Sequence, residues 1–194
     1  IGYAFKNSGV KDNFDVSLNG YFYFVRLISG GVFCLAGLSR ILQAIFAMIF
    51  GESFSFQMTT YNSRLDDQEL IEMLDGSIAA SLFTGITTSI ISGIIFAVHV
   101  YLQSKNDKNI SDDKSSDLVF KVLVFSGTIF FGLVTIVALV GTIEELYKFI
   151  LFDSVDNIEN WSKGVPGEPL SIALSALVGW SVTLRRLIKV ISKK

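Results

Sequence analysis

The sequence predicts an all-α, integral membrane four-helix bundle, arranged as two tandem transmembrane hairpins of the same orientation. Three observations carry that expectation. First, the 194-residue chain is 51% hydrophobic and only 18% charged, with a mean hydropathy of +0.53; a soluble domain carries about 25% charged residues. Second, long stretches hold no charge: 29 residues from Gly76 to Ser104, 22 between Lys121 and Glu144, and 16 between Glu168 and Arg185. A hydrocarbon layer of roughly 30 Å needs about 20 helical residues. Third, the apolar segments lack the polar stripe of a soluble helix. Segment 122–143 has only Ser126, Thr128, Thr135 and Thr142 as polar residues, small hydroxyls suited to bonding back to their own helix.

The elements follow in chain order. Residues 1–19 are polar and lack the apolar run of a cleavable secretory signal. They read as a cytoplasmic N-terminal segment, either a loose tail or a short surface helix. The transmembrane domain occupies 20–194. Its first helix, near 20–51, contains one charge, Arg40, in the 25 residues from Leu27 to Gly51. An external loop leads to Ser63-x-x-Asp66, a capping-box-like helix start. Asp66, Asp67, Glu69 and Glu72 suit the positive end of that helix's dipole, and their spacing does not fit an EF-hand loop. The second helix spans about 70–104, and the charged stretch Lys105–Asp117 is a linker. The third helix spans about 117–151. Trp161 then suits a membrane interface, and Pro169 suits the first turn of the fourth helix, near 169–191, where Arg185 and Arg186 snorkel.

Loop charges set the orientation. With a cytoplasmic N-terminus, twelve of the sixteen cations lie inside and only Arg64, Lys148 and Lys163 lie outside, Arg40 being within a span. Three cations against twelve acids leave the external face at net −9. This positive-inside bias places both termini in the cytoplasm of a multi-pass cell-membrane protein, most simply a bacterial inner-membrane protein.

An internal repeat supports the hairpin arrangement. At an offset of 97, Tyr23-Phe24-Val25 aligns with Phe120-Lys121-Val122 and Ser29-Gly30 with Ser126-Gly127. This pairs hairpins 20–104 and 117–194. Both even helices carry small residues at every fourth position: Ser81, Gly85, Ser89, Gly93 and Ala97 in the second, Ser171, Ser175, Gly179 and Thr183 in the fourth. Such ridges let helices approach closely, inside the bundle or against another subunit. The start Tyr21-Phe22-Tyr23-Phe24, the even helices closing with His99 and Trp180, and the basic pair Arg185-Arg186 resemble uncharacterised bacterial four-helix membrane families built from repeated hairpins. The resemblance covers about 21–191 and implies no catalytic residues.

Few side chains offer chemistry. Arg40 lies 14 positions beyond Arg26, about 21 Å along a helix, and a charge at that depth needs a partner. Its spacing from Phe33, Gly37 and Ala44 suggests a bundle-facing side chain. Glu144 and Glu145 are its natural acceptors, although they lie farther out. His99 is the one histidine, which excludes a bis-histidine haem and allows at most a single axial ligand. More simply, it is an interfacial polar residue. Cys34, the one cysteine, excludes disulfides and Cys-rich metal sites and reads as a packing residue.

Net charge −2 excludes a generally basic nucleic-acid binder, and no nucleophile elbow, P-loop, dinucleotide fingerprint or metal-ligand pair is present. The expected function is therefore non-enzymatic: an accessory or scaffold subunit of a larger membrane complex, without cofactor or metal. Its partners would be membrane lipid and other membrane subunits or further copies of the chain. The alternative is a small oligomeric transporter or channel using Arg40 and the external acids. A sensor or assembly factor acting through the N-terminal arm or the outer loops ranks third.

Overall fold

The computed structural model describes residues 10–56, 67–107, 114–152 and 164–192, and no strand occurs among them. Four helices are long and apolar enough to cross a membrane, over Gly20–Phe50, Asp75–Lys105, Phe120–Leu151 and Gly167–Ile191. The first is built from α1 (Val10–Val32), a π-helical stretch (Phe33–Leu38) and α2 (Ser39–Phe50). Gly51, at φ +94°, makes the turn into a single helical turn, α3 (Glu52–Ser55). The second, third and fourth long helices are α4 (Asp67–Asp107), α5 (Lys114–Phe152) and α6 (Gly167–Ile191). Pro169 falls in the first turn of α6, where a missing N–H costs no helical bond. The capping sequence Ser63-x-x-Asp66, Trp161, and residues 1–9 and 108–113 lie outside the described residues.

Polarity runs opposite to that of a soluble protein. Large apolar side chains face outward, among them Phe83, Ile90 and Ile94 of α4 and Leu133, Ile136 and Val140 of α5. The interior holds alanine and small hydroxyls, including Ser29, Ser81, Ser92, Thr135, Ser171 and Ser175. This is the arrangement of helices that meet lipid outside and need small residues to approach one another inside. Thr128, Thr135 and Thr142 bond back to the carbonyls of Val124, Phe131 and Ala138 at 2.7–2.8 Å, so their burial leaves no unpaired hydroxyl.

The packing is lopsided. α5 and α6 pack along most of their length, and the first long helix crosses them, α1 lying against α5 and α2 against α6. The shared core is Cys34, Phe131 and Ala176, flanked by Leu27, Leu35, Val134 and Trp180. A Cβ on Gly179 would come within 2.6–3.0 Å of the Phe131 ring, so this glycine makes room for the central aromatic. α4 packs extensively on the first long helix alone, without an extended contact to α5 or α6.

The α4 contact is tightest at Gly85. A Cβ there would lie 2.9 Å from the Gly37 carbonyl oxygen and 3.0 Å from the Ile41 nitrogen, so backbone meets backbone. Gly37 sits inside the π-helical stretch, whose register is closed by the Ser39 N–H donating to the Cys34 carbonyl. An i→i+5 bond holds one more residue in the turn than an α-helical bond, so it rotates the face downstream. Beyond it the buried positions are Ser39, Gln43, Ala44 and Ala47, and Arg40 turns outward and is exposed.

Candidate functional site

A cavity of about 360 Å³ lies between all four long helices, in the half of the bundle that holds Arg26 and Arg186. Its existence follows from the lopsided packing: α4 is held against the first helix but stands away from α5 and α6. Two glycines widen it. Gly30 of α1 and Gly93 of α4 both line it, and a Cβ on either would meet nothing within 4 Å. Apolar side chains form most of the wall, including Phe33, Phe96, Leu123, Val124 and Val182, with the hydroxyls of Ser29, Ser92 and Thr183 between them. Its volume falls within the roughly 300–1,000 Å³ range of small-molecule sites.

Arg26 and Arg186 are the only charged residues among those lining the cavity. Arg26 is the better anchored. Its Nη1 donates to Gln103 Oε1 at 2.5 Å, across the α1–α4 interface, and Gln103 is buried. The guanidinium carbon lies 5.4 Å from the Phe96 ring centroid and 5.8 Å from that of Tyr23, close enough for cation–π attraction. Tyr23 packs in turn on Phe120 of α5, with centroids 4.7 Å apart. Arg186 is exposed near the C-terminal end of α6.

The opposite end is acidic and clamped. Gln43, buried in α2, donates through Nε2 to the Ser55 carbonyl at 2.8 Å and accepts from Arg40 Nη1 at 3.2 Å. Ser55 is fully buried and lies close against Gly167, so Gln43 ties α3 to the start of α6. Glu145 accepts the Val165 N–H at 2.9 Å, and Lys148 bridges Glu144 and Glu145 at 2.8 and 3.0 Å. The carboxylates offered by sequence to Arg40 are thus engaged with Lys148 and Val165, and Arg40 meets Gln43 instead. Glu52, beside this clamp, has its carboxyl held above the usual carboxylate range, first by burial, then by the charge of Asp75 and a hydrogen bond with it.

The other expected residues are placed as follows. His99 Nδ1 lies 2.8 Å from the Ile95 carbonyl, and its ring packs beside Tyr21 and Phe22. In the α4 ridge, Ser81 approaches the Arg40 carbonyl at 3.5 Å, and Gly85 and Ser89 meet Gly37; Gly93 opens onto the cavity and Ala97 is exposed. In α6, Ser171, Ser175 and Gly179 are buried, and Thr183 bonds back to Gly179 at 3.0 Å. Among the described residues, no group of three or more His, Cys, Asp or Glu side chains is placed to hold a metal ion.

Sequence reading singled out Arg40 and counted Arg26 merely as one of the cytoplasmic cations. The missed signal was the partner: Gln103 is the only amide in the charge-free run Gly76–Ser104. Fold and site together define a helical bundle able to cross a membrane four times, with a cationic-ended apolar chamber between its helices. No protein-family description, curated protein or solved structure matches the chain.

Proposed function

We propose that this chain is a non-catalytic accessory or scaffold subunit of a larger complex in the cell membrane, most simply a bacterial inner membrane, with both termini cytoplasmic. One observation carries the proposal. α4 is packed by a single neighbouring long helix, while Phe83, Ile86, Ile90 and Ile94 extend along an unpacked apolar surface. A helix attached on one side and free on the others suits docking against another subunit's span. The clamped acidic end supports the reading, since Gln43 and Glu145, near the ends of their spans, hold the Ser55 carbonyl and the Val165 N–H in fixed polar structure. The charge distribution supports the orientation: Arg26, Lys105, Lys121, Arg185, Arg186 and Lys189 gather toward one end of the helices.

The tandem-hairpin architecture belongs to the same proposal. Tyr23 and Phe120, equivalent under the 97-residue offset, pack on each other, as equivalent residues near a pseudo-two-fold axis would. The transporter alternative draws less support, because Arg40 is exposed beside Gln43 and does not line the cavity.

The test is native mass spectrometry of protein extracted gently from its own membrane, with an absorption spectrum of the same sample. Co-migration with other membrane subunits is the expected result. A homo-oligomer free of partners, with flux in reconstituted vesicles that Arg40→Gln abolishes, would instead establish the transporter.

A further inference from the structure

We propose that the chamber between the four helices is a binding site for a neutral, bicyclic aromatic molecule. The site goes beyond the accessory-subunit reading and is independent of it, since every residue lining it belongs to this chain.

Size and polarity select that class. The chamber's volume of about 360 Å³ is more than twice the roughly 150 Å³ of an engineered apolar cavity that holds one benzene, so a bicyclic ring system fits. Water is a poor occupant, because an internal water needs several polar partners. The hydroxyls of Ser29, Ser92 and Thr183 already donate to the carbonyls of Arg26, Thr88 and Gly179, at 3.3, 2.7 and 3.0 Å. Most of the remaining wall is apolar, so hydrocarbon placed there is favourably removed from water. An ion is a poor occupant as well. Arg26 is engaged by Gln103, Phe96 and Tyr23, and Arg186 is exposed near the C-terminal end of α6. A charge in the apolar body of the chamber would lose its hydration without compensation.

The shape of the wall favours rings. Tyr23, Phe33, Phe96, Phe120 and Phe131 all line the space, and aromatic contacts stabilise beyond the area they bury. Gly30 on α1 and Gly93 on α4 leave backbone bare on two walls, with open space where each Cβ would stand, which suits the flat face of a ring. A rigid ring system also has no torsional freedom to lose on binding.

The test is photolabelling of the full chain in mild detergent with trifluoromethyl-phenyl-diazirine, a small neutral arene whose carbene inserts into adjacent side chains. Labelled positions are read by tandem mass spectrometry, with and without excess naphthalene. The expected result is a several-fold fall in labelling at Cys34, Phe96 and Val124, which line the chamber, while labelling of the outward-facing Phe83 and Ile136 is unchanged. Gly93→Leu and Gly30→Leu each place a side chain in open space without displacing packed atoms, and each should remove the naphthalene-sensitive fraction. Naphthoate, the same ring system with a carboxylate, should compete far less well than naphthalene.

Labelling that naphthalene lowers equally at the chamber and on the outer surface, or lowers at neither, overturns the proposal. So does a naphthalene-sensitive fraction that persists in either folded glycine variant. Naphthoate competing as well as naphthalene overturns the neutral class of ligand. Cooperative thermal melts report whether each variant has folded. Where one has not, the other decides; where neither has, the naphthalene and naphthoate competitions on the unaltered protein decide.

Discussion

A single hydrogen-for-methyl exchange decides how near two of these helices come. At Gly85 an added Cβ would press on the Gly37 carbonyl and the Ile41 nitrogen, which are backbone atoms and cannot rotate away. Gly85→Ala should therefore destabilise the protein by about 1–3 kcal/mol through overpacking. Gly76, on the same helix, faces open space, and Gly76→Ala should be neutral or stabilise by up to about 1 kcal/mol through helix propensity. Thermal unfolding of the two variants in one detergent separates packing from propensity; equal losses would show that the Gly37–Gly85 approach is not limiting. Glu52 provides a second residue-scale prediction. Its carboxyl is raised above the ordinary range by burial and by Asp75. The folded state therefore binds its proton more tightly than the unfolded state does. That contribution is full in acid, below the unfolded value, and is lost as pH rises through the raised folded value. Glu52→Gln should stabilise the protein at neutral pH relative to the parent and flatten the loss of stability between mildly acidic and neutral pH. An unchanged pH profile in thermal melts would remove Glu52 as its source.

The four long helices were legible as elements because uncharged length is a local property of the sequence. Arg185 and Arg186 continuing the fourth helix, and Pro169 in its first turn, were legible for the same reason. The π-helical stretch Phe33–Leu38 was not. It is a feature of where Gly37 meets Gly85 and Ser89, and those residues lie about fifty positions apart. Straight α-helical counting from Gly37 turns Arg40 inward, whereas in the structure it is exposed beside Gln43. The clamp at Gln43 escaped for a related reason: an amide in an apolar helix announces a need for partners without naming them. Its consequence can be measured. Gln43→Leu would leave the buried Ser55 carbonyl without its donor and Arg40 without its acceptor. The expected cost is about 1–3 kcal/mol, read as a lowered thermal midpoint. If Gln43→Leu melts with the parent, the α3 turn is held in place by its aromatic contacts, such as Phe54 on Phe149 at 5.7 Å, and the amide is incidental.

At the scale of the whole molecule, the chamber was not legible in the sequence, because a cavity is made by what fails to touch. The ridge in α4 shows why. Read as a uniform stripe, Ser81 to Ala97 packs along one neighbour; in the structure Ser81, Gly85 and Ser89 meet the first helix, whereas Gly93 meets nothing. The core around Phe131 is consequently built by a trio, the first, third and fourth long helices, while α4 packs extensively on the first helix alone, with Gly85 and the Arg26–Gln103 bond in that interface. Such a construction should come apart in order. Trp180 reports on the trio, since its indole packs on Gly132 and Phe131 belongs to the same cluster, and a Trp161→Phe background leaves it as the sole tryptophan. In that background Gly179→Leu, which collides with Phe131, should shift the Trp180 emission and raise its accessibility to a soluble quencher. Gly85→Leu should detach α4 and leave the Trp180 signal close to that of the parent, even as overall thermal stability falls. If the two variants disturb Trp180 equally, α4 unfolds with the other three long helices as one cooperative unit.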